Sequence, residues 1–169
     1  MLETLRTLRT DTLRPDAESI GRLWRTACKL PGGKALFSAA VGRRAPYTHT
    51  IGARVVELAP GHARIVMEDR PPLRNHLDCL HALALANLAE FASGLSMLAG
   101  LPRGLRGIVV RIEIDYLEKA RGTITAAADV VPPAPDFEGL LALPVELYDA
   151  EGRTVARGLY HWQIGRIRR

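Results

Sequence analysis

Asn75-His76-Leu77-Asp78-Cys79-Leu80-His81 runs straight into Ala82-Leu83-Ala84-Leu85-Ala86-Asn87-Leu88-Ala89-Glu90-Phe91-Ala92-Ser93-Gly94. The first seven residues form a polar, turn-prone cluster. The stretch that follows, as far as Ala99, is apolar on nearly every side and predicts a helix over 82–99. Gly100 and Pro102 end it. A helix that is apolar all round must be covered on nearly all sides. It carries a single acid, Glu90, and burying an ionised carboxylate is costly unless it is wet or partnered. Asn75, His76 and His81 gather just before the helix start. Here the chain is arranged for chemistry rather than packing.

Working outward, residues 1–46 read as a helical extension. Ala17 to Leu30 puts Ile20, Leu23, Trp24 and Ala27 on one face, with Asp16 as N-cap and Pro31-Gly32-Gly33 as the stop. Lys34 to Val41 is a short second helix. From Tyr47 the period changes to two. Thr50 to Leu58 and His62 to Glu68 are strands joined by Pro60-Gly61, a hairpin signal. Four more strands follow the long helix: 107–117, 123–131, 140–148 and 154–164. In the first of these, Val110, Ile112, Ile114 and Tyr116 share one side. Pro144 predicts an edge or a bulge in the third. The order is short helices, two strands, one long helix, four strands. It predicts an α+β domain over 47–169, a curved antiparallel sheet wrapped around one central helix.

The 169 residues fit a single core. The net charge is +5, but the arginines are scattered and aromatics make up only 5%. A nucleic-acid surface of clustered cations and stacking rings is therefore not expected; the scattered arginines read first as a solvated surface, and alternatively as one that attracts a small polyanion such as the phosphates of coenzyme A. Met1-Leu2-Glu3-Thr4-Leu5-Arg6 has no apolar signal core, and no uninterrupted apolar run reaches membrane-spanning length. Cys28 and Cys79, far apart, predict no disulfide framework and a reducing, cytoplasmic compartment. His76, Asp78, Cys79 and His81 lack a usual zinc spacing, so no metal is expected.

Asn75, His81 six positions later and Glu90 nine beyond it, followed by the small residues Ser93 and Gly94, resemble the pattern of the hotdog-fold superfamily, and within it the phenylacetyl-CoA thioesterase-like proteins. The element order matches over about Tyr47 to Ile164. The chain resembles a less characterised branch, with Asn75-His76 adjacent and Glu as the acid. It departs from the family at Ala82-Leu83, where Gly-Gly is usual, and in carrying Asp78 in the loop.

The resemblance implies a cytoplasmic acyl-CoA thioesterase, a homodimer or homotetramer with its site between subunits. No cofactor is implied beyond the coenzyme A of the substrate itself. Glu90 would act as base or nucleophile, with Asn75 and His81 beside it from the other chain. The Ala82 and Leu83 amides, at a helix N-terminus, would receive the oxyanion. His76, Ser93 and Gly94 would contact substrate, and Lys119 and Arg121 would lie near the coenzyme A phosphates. Two alternatives remain: a dehydratase of 3-hydroxyacyl thioesters using His76 with Glu90, and a non-catalytic acyl-CoA binding protein.

Overall fold

The computed structural model describes residues 17–167. Asp16, the N-terminal hexapeptide, Arg168 and Arg169 lie outside the described residues. Three short helices come first: α1 (Ala17–Ala27), α2 (Gly33–Gly42) and α3 (Pro46–His49). The β1 (Arg54–Ala59) and β2 (His62–Met67) hairpin follows, then a 3-10 turn at Pro71–Leu73. Next come the long helix α4 (Ala82–Gly100) and strands β3 (Leu105–Tyr116), β4 (Ile124–Asp129), β5 (Gly139–Tyr148) and β6 (Thr154–Arg166).

The strands form one antiparallel sheet in the order β1-β2-β4-β5-β6-β3. α4 touches every strand of it. Its buried residues, among them Leu85, Leu88, Ala92 and Leu95, meet inward-facing Ile65, Ile124, Leu143 and Tyr160 in one core. By length and composition alone α4 could cross a membrane, contrary to the sequence expectation; in this fold it is the core helix, and most of it is buried. The Pro60-Gly61 turn closes the first hairpin as expected. Gly61 has φ 75°, and a Cβ there would meet the Val130 carbonyl at 2.2 Å.

Four local features depart from the sequence pattern. α3 occupies the approach to β1, which begins at Arg54 rather than Thr50. The second concerns β3. Its register with β6 shifts between Val109 and Arg111, so Val110 is a bulged residue and not a member of the row with Ile112. Gly107 and Val109 pair with Ile164 and Trp162, whereas Ile112 and Tyr116 pair with Tyr160 and Ala156. The extra residue thus puts odd positions before it and even positions after it in register with Trp162, Tyr160 and Ala156 of β6. Thirdly, β5 is an interior strand, but β4 pairs only with its Glu146–Tyr148 end. Pro144 therefore has a ladder neighbour on one side only, Leu159 of β6.

Fourthly, the two sheet edges differ. β1 is covered by α2: Ser38 Oγ accepts from the Val55 N–H at 2.9 Å, and Lys34 Nζ donates to the Val56 carbonyl at 2.7 Å. β3 leaves Ile108, Val110 and Ile112 exposed along a strand with one free side.

Candidate active site

The loop 75–81 is built from its own backbone outward. Asn75 N–H donates to the Cys79 carbonyl at 2.8 Å, and Asn75 Oδ1 accepts from the Leu77 N–H (2.9 Å) and Cys79 Sγ (3.4 Å). The turn holds Asp78 at φ 52°, in the left-handed region. Arg74 binds Asp78 and Asp69, and Asp69 accepts from the Gly122 N–H. Arg74 holds the Asp69 carboxyl below its ordinary range. The Asn75 carbonyl oxygen is thus spent on the loop, which leaves Nδ2 as the donating end.

His81 is the N-cap of α4. Its Nδ1 accepts from the Leu83 N–H at 3.0 Å. In the neutral ring the proton is then on Nε2, which points its donor elsewhere. This corrects one expectation: the Leu83 amide is occupied by the cap and is not available to an oxyanion. His81 sets the helix start. Ala82, the first helical residue, has no intrahelical acceptor for its N–H, and its carbonyl accepts from Tyr116 Oη at 2.9 Å.

Glu90 sits mid-helix and half-buried. Among the described residues no hydrogen bond or ion pair engages its carboxyl, and burial raises its pKa. It faces a cavity of about 390 Å³ roofed by α1, α2 and α3. The Asn87–Glu90–Gly94 stripe is therefore covered, not the wet side of the helix. Asn87 Nδ2 donates to the Tyr47 carbonyl at 3.4 Å, which seats α3 on α4 between Glu90 and the helix start. The rest of the wall is mainly apolar, with Phe37, Phe91 and Trp162 prominent; Arg44 is the other charged residue among the described lining residues. Near Glu90, Tyr160 Oη donates to the Ala86 carbonyl at 2.9 Å, and burial keeps that phenol protonated.

Within one chain the expected catalytic residues do not meet. Ala82 and Glu90 are eight residues apart, about 12 Å along the helix axis. Gly94 lines the cavity. Ser93, expected against substrate, is fully buried: Oγ donates to the Glu90 carbonyl at 2.9 Å and accepts from Trp162 Nε1 at 3.2 Å. Arg121, expected near phosphates, donates to the Leu77 and Asp78 carbonyls and so buttresses the loop. Lys119 and His76 are exposed. Among the described residues no cluster of three or more His, Cys, Asp or Glu is placed to hold a metal ion. Arg44, Thr48, Phe37 and Trp162 were missed as site residues. They lie on α2, the turn after it, α3 and β6, which only the fold brings together.

A long helix packed across a six-stranded antiparallel sheet is the hotdog fold. Residues 33–164 match the family described as a domain of unknown function, DUF4442, and the chain belongs to that family. Among solved structures, a structural-genomics protein named APC5556 is 32% identical, with a TM-score of 0.76 over 88% of this chain and 99% of its own. PA5026 from Pseudomonas aeruginosa, a protein of unknown function described as a probable thioesterase, is 22% identical with a TM-score of 0.69 over 82% of this chain and 97% of its own. A hypothetical thioesterase from Streptococcus pneumoniae, solved with coenzyme A, is 20% identical with a TM-score of 0.59 over 69% of this chain and 88% of its own. The last two likenesses establish the fold. No curated protein matches the chain.

Proposed function

We propose that this chain hydrolyses acyl-CoA thioesters, with Glu90 as general base. The carrying observation is the Glu90 carboxyl, unpartnered among the described residues, raised in pKa by burial and facing an apolar cavity. A base of raised pKa removes a proton from water more readily near neutral pH. The water oxygen attacks the thioester carbon while Glu90 takes its proton. The tetrahedral intermediate then expels the thiolate as the C–S bond breaks, and the thiolate takes the proton back from Glu90. The products are a carboxylic acid and coenzyme A.

The oxyanion donors would come from a second copy, since about 12 Å separates Glu90 from its own helix start. The Ala82 N–H, His81 Nε2–H and Asn75 Nδ2 of that copy are the candidates. Support for a second copy lies in the open β3 edge with its exposed Ile108, Val110 and Ile112, set against a β1 edge already covered by α2. A neighbour of the same fold solved with coenzyme A supports the substrate class. The test is thiol release from a panel of acyl-CoAs by wild type and Glu90→Gln. Turnover by wild type and its loss in the variant are the expected results. Equal rates in the two proteins would remove Glu90 from the chemistry.

One observation favours a second reading. His81 already occupies the Leu83 amide, so one of the two expected backbone oxyanion donors is spent. A protein that holds acyl-CoA without cleaving it would show saturable binding and no thiol release.

A further inference from the structure

α4 contributes Glu90, Phe91, Gly94, Leu95 and Leu98 to the cavity. These positions form one strip of the helix surface. From Glu90 to Leu98 is eight residues, about 12 Å along the axis. The two ends differ. Arg44 and Thr48 also line the cavity, and near Glu90 the α3 segment is tied to α4 through Tyr47 and Asn87. Leu98 lies toward the start of α1, which an ion pair between Glu18 and Arg103 pins beside the C-terminal end of α4. The walls between are apolar. A Cβ at Gly94 would stand 3.2 Å from the Trp162 ring, so the glycine lets the indole lie close against the helix. Ala40 presents a small side chain from α2.

Resting on the reading that Glu90 acts at the thioester carbon, we propose that this strip holds the acyl chain, and that α1 and α2 set its length. An extended chain advances about 1.2 Å per bond, one third of a three-bond residue's reach, so ~12 Å holds roughly ten carbons. Apart from Glu90 and Arg44 the described lining residues carry no charge, so an acyl chain with a charged far end would be desolvated without a partner. The substrate class is therefore an uncharged, medium-length acyl thioester. Leu98 marks the far limit and Ala40 the width.

The test compares kcat/KM for butyryl-, hexanoyl-, octanoyl-, decanoyl-, dodecanoyl- and palmitoyl-CoA in wild type, Leu98→Trp and Ala40→Leu, with each melting temperature recorded. The wild-type profile should peak near ten carbons. The ratio of decanoyl to butyryl kcat/KM should fall at least tenfold in a variant that retains its melting temperature. Hydrolysis with a chain-length profile unchanged in both folded variants overturns the chain's placement and leaves the hydrolase reading intact. If no thioester is cleaved, the Trp24→Phe protein is titrated with decanoic acid and followed by the fluorescence of Trp162, then its only indole. A saturable signal weakened by adding Ala40→Leu supports the cavity and ends the hydrolase reading. No signal overturns both.

Discussion

Ser93→Ala separates a structural serine from one that meets substrate. Ser93 Oγ accepts from Trp162 Nε1 at 3.2 Å, and Ser93 and Trp162 are both buried. Removing the acceptor strands the indole N–H, which costs about 1–3 kcal/mol. Losing the bond to the Glu90 carbonyl matters less, because that oxygen also accepts within the helix. Alanine returns roughly 0.5 kcal/mol of helix propensity. The net loss is then about 1–2 kcal/mol, a fall in Tm of roughly 2–8 °C for a domain of this size. In a Trp162→Phe background no N–H is left to strand, so Ser93→Ala should cost almost nothing. The double-mutant coupling is therefore ~1–2 kcal/mol, beyond the roughly 0.3–0.5 kcal/mol scatter of independent sites. Urea unfolding followed by circular dichroism reads all four proteins without relying on the indole signal. Additive costs, together with a raised KM for acyl-CoA in an undestabilised Ser93→Ala, would refute the structural assignment.

Three further outcomes follow from the same geometry. The folded pKa of Glu90 is raised above the ordinary 4.5, so between the two values the native state holds the proton longer. Stability is then lost as pH rises through that window. Chemical denaturation should show Glu90→Gln more stable than wild type at pH 7 and matched to it at pH 4, while wild-type kcat/KM falls as acid protonates the base. His81→Ala removes the cap on Leu83 N–H and should cost about 1 kcal/mol, whereas His81→Asn should restore stability without restoring thiol release, since asparagine caps well. If donors cross between copies, mixing inactive Glu90→Gln with inactive His81→Asn should regenerate about a quarter of wild-type activity by random pairing. Val110→Lys with Ile112→Lys should give a folded chain that sediments at 18.5 kDa and recovers nothing on mixing.

The central helix was legible because a segment apolar on every face admits one solution, a surrounding layer, and the Pro60-Gly61 hairpin because its turn chemistry is local. The β3 bulge was not. An extra residue at Val110 leaves the row Ile112, Ile114, Tyr116 alternating correctly, and only the pairing with β6 exposes the change of phase. α3 was missed because four residues of Pro-Tyr-Thr-His carry too few turns to set a period. The acid at Glu90 could be singled out from its apolar surroundings. The Ser93 hydroxyl could not be sorted from substrate contacts, because a small residue on a helix reads the same facing a ligand or an indole.

The cover over Glu90 shows why the N-terminal helices could be read from the sequence while their role could not. α2 does two things at once: Ser38 and Lys34 close the β1 edge, and Phe37 and Ala40 face the cavity. Each role uses a different side of one ten-residue helix, so its apolar positions surround it and its amphipathic signal is weak. α1 has the opposite character, with Ile20, Trp24 and Ala27 buried along one side and Trp24 packed edge-on against Phe37 at 5.1 Å. A helix that can be read as amphipathic is thus held in place by one that cannot. Their joint product, an apolar roof over a carboxyl without a partner among the described residues, raises the pKa of Glu90 by excluding water rather than by any neighbouring charge. Opening that roof, for instance with Phe37→Ala, should lower the acid limb of the pH–rate profile toward the ordinary glutamate range. A neighbouring charge acting on Glu90 would instead leave the limb where it was.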